Sequence, residues 1–185
     1  MIYPYQGKYP TIHPSVFLTD DVTIIGDVTL EEDTSAWFGT IIRGDVHYIR
    51  IGARTNIQDR CVLHVTGEGY PLIIGSDVTI GHGAILHGST IHEGCLIGMG
   101  ARILDGARIG KQALVAAGAL VTQHFEVPDG MLVAGVPAKV IRPLTAKEKT
   151  YGAKSAENYK RYVSEYRKHQ DLEKGMSNEE YLKKK

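Results

Sequence analysis

The chain has 185 residues, and its 21 Lys and Arg balance 21 Asp and Glu, so the formal net charge is zero. This balance argues against binding to nucleic acids through bulk positive charge, and the 43% hydrophobic content argues against a disordered chain. The apolar runs are too short for a transmembrane helix, and the first ten residues lack the charged-then-apolar pattern of a secretory leader. We therefore expect a cytoplasmic protein with neither nucleic-acid nor membrane partners.

A six-residue repeat runs through residues 12–126. Three residues are inserted before Ile51, a second interruption precedes Ile74, and one residue is dropped before Ile91. The repeated position is occupied by Ile12, Leu18, Ile24, Leu30, Ala36, Ile42, Ile51, Ile57, Leu63, Ile74, Ile80, Leu86, Ile91, Ile97, Ile103, Ile109, Val115 and Val121. An α-helix repeats every 3.6 residues and an isolated amphipathic strand every 2, so neither element explains this spacing.

A period of six fits a short strand followed by a turn, and three such units close a triangular coil of about 18 residues. Hydrogen bonds between strands then stack each coil about 4.8 Å above the previous one. The 21 glycines suit the corners of such coils, where the backbone adopts conformations that other residues resist. The pattern resembles that of hexapeptide-repeat proteins. This resemblance implies a mainly β fold, a left-handed parallel β-helix.

A second inward position follows most of the repeat aliphatics by four residues and holds a small or β-branched side chain. Val46 and Thr90 belong to this set by count. Cys61 and Cys95 fall in the same position, so we interpret them as packed thiols rather than nucleophiles.

The sequence changes character after Pro143, where a charged tail begins. We divide the chain into a β-helix domain, residues 1–144, and a C-terminal helical tail, residues 145–185. Within the tail, residues 155–169 are predicted to form a helix with Ser155 as N-cap. Its apolar face, directed at the coil or at a neighbouring molecule, consists of Tyr159, Tyr162, Val163 and Tyr166.

Two histidines share one outward column by this count. His64 and His87 each follow a repeat aliphatic on the same face of adjacent coils, so their Cβ atoms should lie about 5 Å apart. If residues 48–50 are the insertion, Arg43 lies one coil below His64, with Asp45 beside it. Two imidazoles this close can share a metal ion.

A third histidine, His82, falls on a different face, above Asp59 and diagonal to Gln58. It lies around a corner from the first two and reaches the same metal only if a second subunit packs against them. Three copies around a threefold axis close such a head-to-tail contact. Three neutral imidazoles and a water form a tetrahedral Zn²⁺ site that supplies hydroxide at neutral pH. The spacing therefore predicts a homotrimer with a metal site at each interface.

Four segments carry a more specific resemblance: residues 42–45 (IRGD), 55–59 (TNIQD), 63–65 (LHV) and 81–88 (GHGAILHG). They are similar to the gamma-class carbonic anhydrase family and its close relatives, and the similarity extends over essentially the whole repeat region. It implies reversible hydration of CO₂ to bicarbonate by a trimer. The implied metal ligands are His64 and His87 of one chain and His82 of the next. Zinc is the expected ion, and the sequence does not separate it from Fe²⁺ or Co²⁺.

The resemblance also implies roles for other residues. Arg43 and Asp45 correspond to an interfacial salt bridge of the family, and Gln58 to the residue that orients the attacking hydroxide. Asp59 is expected to support the site, and Tyr159 to reach its rim.

Two departures from the family concern proton transfer. Val46 stands where the best-characterised members carry an acidic residue, directly after the Arg-x-Asp motif. Their longer loop after the first metal histidine, which bears an acidic proton shuttle, is here reduced to residues 66–71, with Glu68 as its one carboxylate. Fast hydration requires rapid removal of a proton, so turnover is expected to be slow or buffer-assisted.

Two other functions stay open at this point. Many hexapeptide-repeat proteins use the interface cleft for acyl-CoA chemistry, so an acyltransferase or a metal-dependent thioesterase is an alternative. A metal-binding trimer that acts as a non-catalytic scaffold is the other.

Overall fold

A computed structural model describes residues 1–170 of the chain. Short parallel strands follow one another around a triangular coil, and about seven coils stack into a left-handed parallel β-helix. One α-helix, Tyr151–Gln170, here called α1, follows the last coil and packs against its side. The fold class predicted from the six-residue repeat is confirmed.

The strands form three faces, named by the order in which the chain passes them from Leu63 onward. Face one contains Ile2–Tyr3, the first part of Thr23–Leu30, the first part of Ile41–Ile51, Val62–His64, Ile85–His87, Arg102–Ile103 and Leu120–Val121. Face two contains Thr11–Ile12, the remainder of the two long strands, Leu72–Ile74, Thr90–Ile91, Arg108–Ile109 and Glu126–Val127. Face three contains Phe17–Leu18, Ser35–Ala36, Asn56–Ile57, Thr79–Ile80, Leu96–Ile97, Leu114–Val115 and Met131–Gly135, with Ala138–Pro143 paired antiparallel to the last.

The interior of the coil is filled by columns of repeat aliphatics. Ile42, Leu63 and Leu86 stack directly on one another in face one, and all three are fully buried. Burial of a side chain of this size stabilises the fold by about 1.5–3 kcal/mol. Cys61 and Cys95 are also buried as free thiols, and burial raises the pKa of each to about 12. Both cysteines therefore remain protonated and serve packing.

The first insertion lies slightly earlier than predicted. Gly44 pairs with Gly26, and the next aligned residue is Ile49, so the extra residues belong to positions 45–48 and not to 48–50. Ile49 occupies the inward position that the count gave to Val46, whose side chain is exposed. A Cβ at Gly26 would lie 2.4 Å from the carbonyl oxygen of Gly44, so the two strands can approach here only without a side chain. Beyond this close contact the bulge turns Asp45 outward.

The dropped residue before Ile91 also changes an inward position. The register places Ser89 rather than Thr90 in the inward column, between Leu72 and Ala107. Its hydroxyl is buried and has no hydrogen-bond partner among the described residues. A one-residue shift therefore puts an unsatisfied polar atom into the core.

The helical tail begins earlier than predicted. A 3₁₀ turn, Glu148–Thr150, leads directly into α1, so Ser155 lies inside the helix and does not cap it. Thr145 accepts a hydrogen bond from the Glu148 N–H, while the Glu148 carboxylate accepts one from the Thr145 N–H. This reciprocal capping box starts the helical backbone upstream of Ser155. The domain division at residue 144 stays a prediction, and residues 171–185 lie outside the described part of the chain.

Helix α1 packs on face three through aromatic side chains. The ring of Trp37 lies 5.2 Å from that of Tyr159 and 5.1 Å from that of Tyr166, both edge-on. Lys160 forms an ion pair with Asp33 of the coil at 2.8 Å. Two members of the predicted apolar stripe, Tyr159 and Tyr166, therefore contact the coil of their own chain, whereas Tyr162 is exposed and packs on Tyr159. Within residues 1–170, no helix is both long enough and apolar enough to cross a membrane.

We expect Ser89→Ala to stabilise the protein, because it removes a buried hydroxyl that has no hydrogen-bond partner in the described part of the chain. The free energy of unfolding should rise by about 1 kcal/mol per chain, or about 3 °C in Tm measured by calorimetry. Thr55→Val is the matched control, because the Thr55 hydroxyl donates to the Gly75 carbonyl at 2.8 Å and its loss should lower Tm. An equal loss of stability in Ser89→Ala would contradict the prediction.

Candidate metal centre

His64 and His87 occupy the same outward slot on neighbouring coils of face one. The strand register pairs their Cα atoms, and their ring centroids lie 5.0 Å apart. Nδ1 of His64 is 3.0 Å from Nε2 of His87. The column inferred from spacing is therefore present, and the two rings direct one nitrogen each at a common point.

The other nitrogen of each ring meets a carboxylate. Nε2 of His64 lies 3.0 Å from Oδ1 of Asp45, and Nδ1 of His87 lies 2.6 Å from Oδ1 of Asp105. The Thr66 hydroxyl donates to Oδ2 of Asp105 at 3.0 Å and so holds that carboxylate in place. A carboxylate behind a histidine selects its tautomer and turns the remaining nitrogen toward a metal.

Asp105 is absent from the residues proposed from sequence. It follows His87 by 18 residues in sequence, but the register pairs His87 with Leu104 and sets Asp105 beside Gly88 on the next coil. Counting one coil upward from His87 therefore leads to Leu104, and only the hydrogen bond to His87 identifies Asp105. None of the four segments that resemble the family extends to position 105.

His82 lies at the corner where the chain leaves face three. The pairing of Ile80 with Ile57 places it above Asp59, and its Nδ1 is 2.6 Å from Oδ2 of that carboxylate. The side chain of His82 is 47% exposed, compared with 18% for His64. His82 thus has its own carboxylate partner, like the other two histidines, but faces away from them into solvent.

Gln58 is buried beneath His82. Its Oε1 accepts a hydrogen bond from the backbone N–H of His82 at 3.2 Å, and its Nε2 donates to Oδ1 of Asn56 at 3.2 Å. Both oxygen and nitrogen of the amide are therefore in use, which fixes its orientation. Asn56 was part of the quoted motif but received no role from the sequence.

Arg43 and Asp45 form an ion pair within one chain, next to His64. Burial alone would raise the pKa of Asp45, but the hydrogen bonds from Arg43, His64 and the Val46 N–H outweigh it and lower that pKa. Burial also lowers the pKa of His64, and the charge of Arg43 acts in the same direction. At neutral pH His64 is therefore the neutral imidazole that a metal requires.

Tyr159 and Glu68 lie at the periphery of the site. Tyr159 of α1 borders a groove of about 350 Å³ beside His82 and Gln58, whose wall includes Leu96, Met99 and Leu114. Burial raises the pKa of Tyr159 to about 12, so its phenol stays neutral. Glu68 is exposed in the loop after His64, in a left-handed backbone conformation with φ of 63°. Its carboxylate bonds to no side chain within residues 1–170.

The donor chemistry of these residues fits zinc. In a tetrahedral site with metal–nitrogen distances of about 2.0–2.1 Å, two ligand nitrogens lie about 3.3 Å apart, close to the 3.0 Å between His64 and His87. Within residues 1–170 of a single chain, however, no three His, Cys, Asp or Glu side chains converge to hold a metal. A set of three imidazoles would need His82 from a second copy.

Comparison with known proteins bears on this arrangement. Residues 88–123 match the family described as "Bacterial transferase hexapeptide (six repeats)". A protein named "Carbonic anhydrase" from Geobacillus kaustophilus is 52% identical over 145 residues, which cover 78% of this chain and 79% of that one. "Gamma carbonic anhydrase 2, mitochondrial" from Arabidopsis thaliana is 43% identical over 82% of this chain and 56% of its own length.

A solved structure shares the whole architecture. The crystal structure of a putative acetyltransferase from Bacillus cereus superposes with a TM-score of 0.87 and 48% identity, covering 89% of this chain and 95% of that one. The six-residue repeat, the strand register and the sequence identity to these relatives all indicate the same family. The chain belongs to the gamma carbonic anhydrase family of hexapeptide-repeat proteins.

Proposed function

We propose that this protein acts as a cytoplasmic homotrimer that reversibly hydrates CO₂ to bicarbonate at a metal ion held between subunits. The observation that carries the proposal is that each candidate metal ligand has its own carboxylate partner. The pairs are His64 with Asp45, His87 with Asp105, and His82 with Asp59. Relatives named carbonic anhydrase, at 43–52% identity, support the reaction.

The ligands would come from two chains. His64 and His87 of one chain and His82 of the next would hold Zn²⁺, with Fe²⁺ or Co²⁺ as alternatives. The bound metal would lower the pKa of water toward 7 and make hydroxide available at neutral pH. The exposure of His82, 47% in a single chain, supports a contact in which face three of one subunit meets face one of another. Three copies close that contact.

In this proposal the remaining residues position the ligands and the substrate, and none of them gains or loses a proton. Asp45, Asp59 and Asp105 hold the three imidazoles in one tautomer each. Gln58 has one Nε2–H left after its bond to Asn56, and this N–H is available to orient an oxygen of water or substrate. The neutral phenol of Tyr159 lines the same groove.

Proton removal is the step for which the site is least equipped. Val46 is an exposed apolar side chain beside Asp45, and Glu68 lies at the loop surface, where no side chain within residues 1–170 bonds to its carboxylate. A positioned acid or base contributes about 10²–10⁴-fold to such a transfer. We therefore propose that buffer carries the proton and limits the rate.

Acyl transfer is the second candidate function. The apolar groove beside His82 continues along face three from Thr79 past Leu96 to Leu114, and an apolar surface of this kind suits a thioester arm. The similarity to a putative acetyltransferase from Bacillus cereus supports this alternative. On this alternative His82 would act as a base beside the groove and would need no metal.

We expect His87→Ala to lose the metal and to reduce CO₂ hydration by at least about 100-fold, because removal of a ligand exceeds the effect of removing its carboxylate partner. Metal content measured by mass spectrometry and stopped-flow hydration test this directly. His13→Ala is the control, since that ring bonds to the Ser15 hydroxyl near the first coil and contacts none of the three ligands within residues 1–170. Metal-free native protein that cleaves acyl-CoA would contradict the proposal and favour acyl transfer.

Mixed trimers test the assignment of ligands to two chains. His82→Ala and His64→Ala should each be inactive alone, yet mixed trimers should recover part of the activity, because some interfaces then contain all three ligands. A mixture of His64→Ala and His87→Ala should recover none, because both ligands come from the same chain at every interface. Equal recovery in the two mixtures, or none in verified mixed trimers, would exclude the assignment.

Asp105→Asn should weaken metal binding by about tenfold or more, because the amide lacks the charge that supports the His87 tautomer. Competition with a chromophoric chelator measures this affinity. Asp129→Asn is the matched control, since that carboxylate accepts a hydrogen bond from the Lys111 N–H far from the histidines. Unchanged affinity in Asp105→Asn would show that the carboxylate has no such role.

A further inference from the structure

Helix α1 touches the coil most closely at Gly152. A Cβ at this position would lie 2.3 Å from the carbonyl oxygen of Gly94 and 2.8 Å from that of Cys95, so only glycine permits the approach. The approach brings the Gly152 carbonyl within 3.2 Å of the Thr79 hydroxyl, which donates to it. A backbone group of the helix thus enters the buried polar layer beneath the candidate site.

From Thr79 a line of hydrogen bonds leads to His82. The Thr79 oxygen accepts from Nδ2 of Asn56 at 2.8 Å, Oδ1 of Asn56 accepts from Nε2 of Gln58, and Oε1 of Gln58 accepts from the His82 N–H. Thr79, Asn56 and Gln58 are 3%, 1% and 6% exposed, so water does not compete for these groups. Side-chain networks of this kind specify one geometry when every member is satisfied.

A backbone group at each end of this series of hydrogen bonds determines which atoms donate and which accept. The Gly152 carbonyl can only accept, so the Thr79 hydroxyl donates its one proton to it and accepts a hydrogen bond from Asn56. That choice directs Oδ1 of Asn56 toward Gln58 and, in turn, Oε1 of Gln58 toward His82. The backbone N–H of His82 can only donate, and it meets that oxygen. The two backbone groups therefore require the same amide orientations.

We propose that Thr79 is a positioning residue, through which the Gly152 carbonyl of α1 sets the amide orientation of Gln58 and holds the His82 backbone. The proposal rests on the proposed function for its effect on catalysis. Without the Thr79 hydroxyl, Nδ2 of Asn56 keeps only a 3.5 Å contact with the Val78 carbonyl. Both amides are then held from the His82 end alone. A Gln58 that turns presents NH₂ to the His82 N–H, two donors face to face, so each such turn disturbs the His82 backbone.

The helix does not need this hydrogen bond to stay docked. Trp37 packs between Tyr159 and Tyr166, Lys160 pairs with Asp33, and Arg167 donates to the Ser15 carbonyl at 2.7 Å. Trp37 is the one tryptophan in the sequence, so its fluorescence reports directly on docking of α1. Loss of the Thr79 hydroxyl can therefore be separated from loss of the helix.

The test compares Thr79→Val with Thr79→Ser, which keeps the hydroxyl. We expect Thr79→Val to lower kcat about tenfold at constant KM, with Trp37 emission unchanged, and Thr79→Ser to restore kcat. Thr34→Val is the matched control, because the Thr34 hydroxyl is also buried and also donates to a carbonyl, that of Gly52, at 3.2 Å. Equal kcat in Thr79→Val and the wild type would overturn the proposal.

A second readout does not depend on activity. In ¹⁵N-labelled protein, the side-chain amide signals of Gln58 are assigned by their loss in Gln58→Glu. The Nε2 proton that bonds to Asn56 should be protected from exchange in the wild type and in Thr34→Val, and unprotected in Thr79→Val. Rapid exchange of this proton in the wild type would overturn the proposal, even if Thr79→Val failed to fold. Protected signals in an enzyme without CO₂ hydration would instead overturn the proposed function and leave the positioning role intact.

Discussion

The structure depends on the in-register stacking of each coil on the one below it. The backbone hydrogen bonds run along the axis of the β-helix, so every residue has a fixed neighbour above and below. Ile42, Leu63 and Leu86 show the consequence inside the coil, and Arg43, His64 and His87 show it outside. The same column that packs aliphatics on the inside brings two imidazoles to 3.0 Å on the outside. The distance between the two imidazoles is thus set by a backbone spacing and not by loop conformation.

The site arises where this regularity is interrupted. The bulge at positions 45–48 begins with Asp45, whose carboxylate meets His64, and the loop at 66–71 begins with Thr66, which holds Asp105. Each interruption of the hexads thus carries a side chain that supports one of the two stacked histidines. Such support selects the tautomer of each imidazole.

The parts of the molecule that were predictable from sequence are those that follow from counting. The repeat identified the fold, the column of His64 and His87, and the place of His82 above Asp59, because each of these depends on strand register alone. Counting failed at the insertion and at the dropped residue. Three extra residues move the inward position from Val46 to Ile49, and one dropped residue moves it from Thr90 to Ser89. Each shift is an odd number of residues and so exchanges inside for outside. Counting also missed Asp105 and the start of α1. These depend on side-chain hydrogen bonds between coils and between Thr145 and Glu148, which no period encodes.

The separation of inward and outward positions explains why one fold carries relatives with different names. Inward residues such as Ile57 and Leu86 determine the β-helix whatever the outward residues are, so chemistry can change on the surface of the coil without disturbing the core. The polar layer of Asn56, Gln58 and Thr79 is the exception, because it lies on face three yet is covered by α1. A substitution in this layer that changes the function must therefore also allow α1 to dock. The hydrogen bond from Thr79 to the Gly152 carbonyl therefore constrains this layer in a way that the stacking of coils alone does not.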